Sequence, residues 1–220
     1  MCGRYSLTKP IKTLKEHFQA IAVEMDHDRR YNIAPSQSVP IVLTGNEGRE
    51  LHAMRWGLIP SWAKDAAIGN RLINARAETV HEKPSFRSSL KKKRCLVPAD
   101  GFYEWQAREQ GKFPQYIRMR SGELFAFAGL WSEWDSGQEI MQTFTIITTA
   151  ANRDIEPIHH RMPVILMPTD YDRWLSPSSE EYQSLLKPLK EGLLDHYEIT
   201  KTVNSPKNDS EECILPFKHT

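Results

Sequence analysis

The sequence predicts one α+β domain whose core is mainly antiparallel β-sheet. Two observations support this prediction: many short segments have the composition of strands, and few are long enough for regular helices. A length of 220 residues suits a single domain, spanning 1–220, and is enough to bury a sizeable core. The run Phe125–Leu130 is apolar enough to be a buried strand of that core.

The predicted elements follow each other in short steps along the chain. Thr8 followed by Pro10 indicates a helix start, and Ile11, Leu14 and Phe18 fall on one face of that helix. The turn residues between the first two predicted strands indicate a hairpin. Strands are predicted at Val39–Leu43, Leu51–Gly57, Arg94–Val97, Phe102–Gln106, Tyr116–Arg120, Leu124–Trp131 and Thr143–Thr149, with a turn at Pro98–Gly101 and the hairpin turn at Gly45–Gly48. Short helices are predicted at Asn152–Ile155, Asp170–Leu175 and Glu180–Leu186.

Composition narrows the functional classes. The formal net charge is +1, so any contact with nucleic acid must come from a local groove rather than from overall charge. Cys2, Cys95 and Cys213 are too few and too scattered for a disulfide framework or a zinc site. No segment has the pattern of a signal peptide or a membrane span. We therefore expect a cytoplasmic protein without metal or cofactor, acting as a monomer away from membranes.

The chain begins Met1-Cys2-Gly3-Arg4, which places a cysteine where it can become the reactive N-terminal residue. A small second residue allows an aminopeptidase to remove Met1, leaving an amine and a thiol on adjacent carbons. The α-amino pKa is about 7.7–8.0 and the thiol pKa about 8.5, so both groups are reactive near neutral pH. Such a pair can attack an acyl carbon through sulfur, or can condense with an aldehyde to an imine and then a thiazolidine. Taken alone, chance explains a cysteine at this position better than chemistry does.

Five further segments carry more polar and aromatic side chains than ordinary strands or turns do. They are Arg30–Ser36, Arg55–Trp62, Leu72–Thr79, Pro98–Trp105 and Ile158–Pro163. Each has an ordinary interpretation: a loop, a core tryptophan, a solvated strand face, or a surface histidine. Some of these segments also allow a specific functional interpretation. Asn74, Arg76 and Glu78 share one face at strand spacing, and burial of Glu104 between two aromatic residues would raise its pKa and suit it to general acid catalysis.

Together with the N-terminus and Val203-Asn204, these segments resemble the SOS response-associated peptidase (SRAP) family over nearly the whole chain and in the same order. The resemblance implies a single domain with a barrel-like β core and short flanking helices. It also implies reaction with abasic sites in single-stranded DNA, in which the N-terminal cysteine forms a thiazolidine with the ring-opened sugar. Such a crosslink protects the strand from cleavage. An imine formed by a lysine would not, because it leaves a β-proton that can be eliminated.

The same resemblance implies roles for individual residues. Cys2 would be the nucleophile, and Asn74 would orient the amine and the sugar. Glu104 would open the deoxyribose ring as a general acid. His159, rather than His160, would assist proton transfer. The residues implied to contact DNA are Arg4, Arg76 and Arg161 at phosphates, Asn32 and Pro35 on a loop beside the strand, and Trp62 stacked on a base.

Two other functions remain open at this point. A thiol peptidase or amidohydrolase could use the same Cys2, although it would need an oxyanion hole that the sequence does not show. A non-covalent reader of single-stranded DNA would leave Cys2 without a role.

Overall fold

Short strands dominate the computed structural model, which describes residues 2–22, 25, 27–176 and 181–217. The strands are β1 (Tyr5–Leu7), β2 (Ala20–Ala22), β3 (Arg30–Ile33), β4 (Ser38–Thr44), β5 (Arg49–Trp56), β6 (Asn74–Arg76), β7 (Arg94–Ala99), β8 (Gly101–Arg108), β9 (Gly111–Met119), β10 (Phe125–Asp135), β11 (Ile140–Ala150), β12 (Arg161–Pro163), β13 (Ile165–Leu166) and β14 (Leu194–Glu198). The α-helices are α1 (Ile11–Phe18), α2 (Arg87–Lys92) and α3 (Tyr171–Leu175). Single 3-10 turns lie at Ala66–Arg71, Pro168–Asp170, Glu181–Leu185, Lys201–Asn204 and Glu211–Ile214.

Five strands close into a barrel, in the order β5-β4-β7-β10-β11. All neighbours pair antiparallel except β11 and β5, which close the barrel in parallel through Thr143 opposite Arg55 and Phe144 opposite Trp56. The predicted hairpin between β4 and β5 is confirmed, with the Gly45 N–H donating to the Gly48 carbonyl at 2.7 Å. The first six residues of β10 are buried, as their apolar run predicts. The α+β fold class with a barrel-like core is therefore confirmed.

A second sheet, in the order β14-β9-β8-β1-β3, packs on the barrel and shares its core. Tyr5 of β1 joins the two layers, because its ring meets Trp56 at 5.2 Å and Phe127 at 5.7 Å in edge-to-face geometry. These contacts place the N-terminal strand directly over the barrel wall. No helix in the described part of the chain is long and apolar enough to cross a membrane.

Several predicted boundaries need correction. The predicted turn after Val97 is wrong, because β7 runs to Ala99 and β8 starts at Gly101, so the chain crosses between sheets at Asp100. The predicted helix at Asn152–Ile155 is a series of turns. The Asn152 side chain accepts from the Ile155 N–H at 3.2 Å and donates to the Leu189 carbonyl at 3.1 Å, which competes with helical bonding.

Other elements were predicted in part or not at all. Of the predicted helix at Glu180–Leu186, residues 181–185 form a 3-10 helix, whereas Glu180 lies outside the described residues. The predicted strand at Tyr116–Arg120 begins earlier, at Gly111. The strands β1, β2, β3, β6, β12, β13 and β14 and the helix α2 were not predicted, since short segments give a weak periodic signal.

Two glycines allow the backbone to approach itself closely where β5 leaves the barrel. Gly57 has φ +118°, and a Cβ on it would lie 2.6 Å from the carbonyl oxygen of Gly69. We expect Gly57→Ala to destabilise the fold by about 1–3 kcal/mol from strain and a further ~1–3 kcal/mol from overpacking. Gly48→Ala is the matched control, because Gly48 has φ +134° and open space around it. Equal losses of stability in urea unfolding of the two variants would contradict the close approach.

Candidate active site

The N-terminal segment lies along β8 and carries Cys2 into the interior. Tyr5 pairs with Phe102, and the Tyr103 N–H donates to the Arg4 carbonyl at 3.0 Å, so the chain before β1 runs on toward Glu104. Cys2 is completely buried. Its carbonyl oxygen accepts a hydrogen bond of 2.8 Å from Asn74 Nδ2, which ties residue 2 to β6. The structure therefore brings together Cys2, Asn74 and β8.

Glu104 lies on β8 with 3% of its surface exposed, between Tyr103 and Trp105. Burial raises the pKa of the Glu104 carboxyl, as its aromatic neighbours suggested. Burial, and then the nearby Glu104 carboxylate, raise the pKa of the Cys2 thiol far above its ordinary value. The two groups thus lie within electrostatic range of each other. Both favour their protonated forms.

His159 lies in the turn before β12, and the backbone of Arg161 holds its ring in place. The Arg161 N–H lies 3.0 Å from His159 Nδ1, and the Arg161 carbonyl oxygen lies 3.2 Å from the same nitrogen. Burial lowers the pKa of His159, which keeps the ring neutral near pH 7. The turn is tied to β8 by Gln106, whose Nε2 donates to the Pro157 carbonyl at 3.1 Å. The turn that carries His159 is therefore attached to the strand that carries Glu104.

The neighbouring His160 is exposed, and its ring stacks on that of His159 at 4.4 Å. Its pKa is lowered chiefly by His159, while the Glu104 carboxylate raises it. His160 therefore lies within electrostatic range of Glu104 on β8. The preference for His159 rests on its place in the sequence motif and on its half-buried position.

Asn74 has a second polar atom that faces the same region. Its Oδ1 is buried, and within the described part of the chain no group forms a hydrogen bond with it. A buried polar atom without a partner is costly, and such atoms concentrate where a ligand completes the site. Asn74 can hold the Cys2 carbonyl through Nδ2 and still accept from an incoming amine or hydroxyl through Oδ1.

Arg76 and Arg161 lie on opposite sides of β11. Arg76 pairs with Thr148 across one edge of that strand, and Arg161 pairs with Ala150 across the other. Arg76 is exposed. The Arg161 side chain is only 13% exposed, and both of its terminal nitrogens bind the Glu78 carboxylate, at 2.6 and 3.0 Å.

Arg4 and Asn32 form a buried connection to the C-terminal segment. Arg4 Nη1 donates to Asn32 Oδ1 at 2.7 Å and to the Val203 carbonyl at 2.8 Å. Asn32 is completely buried, and its Nδ2 also donates to the carbonyls of Val203, Ser205 and Asn208. Asn32 therefore lies beneath the surface and supports Arg4, and it does not face a strand of DNA.

Pro35 and Trp62 lie nearer to solvent. Pro35 is half-buried after β3. Trp62 is 59% exposed, and the loop behind it is held by Trp134, whose Nε1 donates to the Ala63 carbonyl at 2.7 Å. Open cavities flank Trp62 on two sides, one of about 500 Å³ reaching Arg71 and one of about 240 Å³ reaching Lys93. A large exposed ring beside cationic side chains suits base stacking.

Two residues that sequence analysis did not assign a role support the site. Trp105 follows Glu104, donates from Nε1 to Asn204 Oδ1 at 2.8 Å, and lies 5.9 Å from the Arg4 guanidinium. Asp209 accepts from the backbone of Tyr31 and Asn32 and so fastens the C-terminal segment to β3. The aromatic motif could have indicated Trp105, but no local pattern singles out Asp209.

The described residues contain no cluster of three or more His, Cys, Asp or Glu side chains that could hold a metal ion. Cys95 and Cys213 are buried and unpaired, as is Cys2. The polar groups around Cys2 are instead those of an acid–base site.

Residues 1–206 match the family model described as SOS response associated peptidase (SRAP). The chain belongs to the SRAP family. This confirms the resemblance found in the motifs, and the matched range contains all the candidate site residues.

Other SRAP relatives cover the chain closely. The abasic site processing protein YoqW of Bacillus subtilis (strain 168) is 44% identical over 97% of this chain and 99% of its own length. The abasic site processing protein HMCES of Gallus gallus is 34% identical over 86% of this chain and 66% of its own. A crystal structure of a protein from Bacteroides thetaiotaomicron superposes with a TM-score of 0.90 at 30% identity, covering 99% of this chain and 100% of the other.

Because the pKa of Glu104 is raised in the folded protein, the stability of the fold should depend on pH. A carboxyl whose pKa is higher in the folded than in the unfolded state contributes stability below its unfolded pKa and loses it as pH rises through the folded pKa. We expect Glu104→Gln to gain stability relative to the wild type as pH increases from about 4 to 8. Thermal unfolding across that range measures this, with the exposed Glu109→Gln as control. A difference that stays constant with pH would contradict the assignment.

Proposed function

We propose that this protein traps abasic sites in single-stranded DNA as a covalent thiazolidine on Cys2, formed after removal of Met1. The observation that carries the proposal is the buried arrangement of Cys2, Asn74 and Glu104, with residue 2 held by a 2.8 Å hydrogen bond. The names of the relatives YoqW and HMCES, both abasic site processing proteins, support the same substrate.

The first step is release of the aldehyde. An abasic deoxyribose is mostly a closed hemiacetal, and a protonated Glu104 donates to the ring oxygen as the ring opens. The Cys2 amine then attacks C1, and loss of water gives an imine. The buried oxygen of Asn74 is available to accept from the amine during this step.

Ring closure adds the thiol across the imine bond. A C–S bond forms at C1, the C=N bond becomes single, and the proton of the thiol ends on nitrogen, so no oxidant or reductant is needed. The raised pKa of the Cys2 thiol is compatible with this step, because the proton has to be transferred in any case. In this proposal Glu104 and His159 carry that proton, and the same transfers in reverse reopen the ring.

The DNA strand would follow the exposed cationic and aromatic groups around the site. Arg76 and Trp62 are exposed, Arg4 is half-buried, and the Arg161 side chain is 13% exposed. Guanidinium groups match phosphate oxygens in geometry, and an exposed indole stacks on any base. A net charge of +1 agrees with a local track rather than a basic surface.

Substitution of Cys2 tests the crosslink directly. We expect the purified protein to lack Met1 and to form a denaturant-resistant adduct with single-stranded DNA that contains an abasic site. Cys2→Ala should abolish the adduct, and Cys2→Ser should weaken it because oxygen closes the ring less well. Intact mass before and after incubation measures both points. A normal adduct from Cys2→Ala would contradict the Cys2 chemistry and would indicate a lysine imine instead.

Glu104 and His159 should affect how fast the adduct forms or is released, and not whether it can form. General acid–base assistance is worth about 10²–10⁴-fold, and neither residue supplies the bond. We expect Glu104→Gln and His159→Ala to slow adduct formation or release while still giving some adduct after long incubation. A gel-shift time course followed by a chase with excess unlabelled abasic DNA measures both rates. Unchanged rates in both variants would contradict these roles even if the Cys2 chemistry stands.

A further inference from the structure

Both terminal nitrogens of the Arg161 guanidinium form hydrogen bonds within the protein. Nη1 binds Glu78 Oε1 at 2.6 Å and Nη2 binds Glu78 Oε2 at 3.0 Å, in a two-pronged pair. Nη2 also donates to the Thr148 carbonyl at 2.7 Å and to its hydroxyl at 3.2 Å. A planar fork of this kind binds a carboxylate and a phosphate in the same way. Arg161 therefore cannot grip a DNA phosphate with this fork while Glu78 remains in place.

The two partners of this ion pair are held unequally. The Arg161 side chain is 13% exposed and is anchored to β11 through Thr148, so it stays in place without Glu78. The Glu78 side chain is 49% exposed and follows the end of β6. It borders an open cavity of about 480 Å³, lined also by His81, Thr149 and Tyr182, which gives its carboxylate room to turn away.

We propose that Glu78 occupies the guanidinium of Arg161 in place of a DNA phosphate and is displaced when a single strand binds, which lowers the affinity for undamaged DNA. This inference rests on the proposed function, because it takes the DNA strand to pass over β11 beside Cys2. Arg76, two residues before Glu78 and exposed, is the first cation that the arriving strand meets.

Replacement of the Glu78 carboxylate by a DNA phosphate at Arg161 reduces the free energy gained on binding. A phosphate that reaches Arg161 gains one charged pair only by breaking another, so little net attraction remains. Hydrogen bonding to Arg161 lowers the pKa of Glu78, so the competing carboxylate is ionised at neutral pH. Retention of the DNA then depends on the covalent bond at Cys2 rather than on tight non-covalent binding. Intact strands, which offer no aldehyde, dissociate.

Glu78→Gln tests the competition, because the amide keeps the size of the side chain and removes its charge. The matched control is Glu82→Gln, four residues along, where an exposed carboxylate lies 3.4 Å from the exposed His81. The probe is an intact, unmodified single-stranded oligonucleotide, and its affinity is measured by fluorescence anisotropy over a salt series. We expect Glu78→Gln to bind roughly three- to ten-fold more tightly than Glu82→Gln at low salt.

Two further readouts separate competition from a general charge effect. The slope of log affinity against log salt should become steeper in Glu78→Gln by no more than about 0.7, the value for one phosphate on a single strand, because binding then neutralises the Arg161 charge instead of exchanging a carboxylate for a phosphate. Adding Arg161→Ala to Glu78→Gln should remove the gain. Equal or weaker binding by Glu78→Gln, or a gain that survives without Arg161, would overturn the inference.

The same samples distinguish this inference from the proposed function. Incubation of the wild type with abasic single-stranded DNA measures adduct formation separately from the affinity for intact strands. A wild type that forms no adduct would contradict the proposed function. A wild type that forms the adduct, together with a Glu78→Gln variant that gains no affinity, would contradict the competition alone.

Discussion

The position of the reactive residue depends on one buried carboxylate, that of Asp100, where the chain crosses from the barrel to the second sheet. Asp100 Oδ1 accepts from the Ser6 hydroxyl, and Oδ2 accepts from the backbone N–H and hydroxyl of Thr8, each at 2.6 Å. Since β1 has only three residues, pairing alone would hold it weakly. These bonds fix β1 beside β8, and that register carries Cys2 toward Glu104.

Burial determines which chemistry suits the site. A thiol peptidase needs a thiolate, which an electropositive and partly exposed setting stabilises. Cys2 is instead completely buried next to a carboxyl group, and burial raises the pKa of both its thiol and Glu104. A protonated thiol beside a protonated acid suits addition of S–H across an imine, because every proton remains within the site. The same burial therefore disfavours hydrolysis through a thiolate and is compatible with the proposed capture of an aldehyde.

Sequence analysis predicted the features that depend on neighbouring residues. The hairpin between β4 and β5 follows from its turn residues, and the raised pKa of Glu104 from its aromatic neighbours. It failed where the partner is distant in sequence. Asn32 was expected beside DNA, yet its backbone is fastened by Asp209, 177 residues later. Arg161 is likewise engaged by Glu78, 83 residues away. No local pattern reports such contacts, because the fold alone brings these residues together.

The cations of this protein do not form one uniform binding surface. Arg94, the last residue of a basic run, is buried and donates to the carbonyls of Leu90 and Trp174, so it stabilises the packing of α3. Arg4 is bound to internal oxygens as well, which leaves Arg76 as a fully presented charge near Cys2. A surface arranged in this way attracts a strand only weakly. Weak attraction suits the proposed function, in which a covalent bond retains the protein on its target, because discrimination then depends on the presence of an aldehyde.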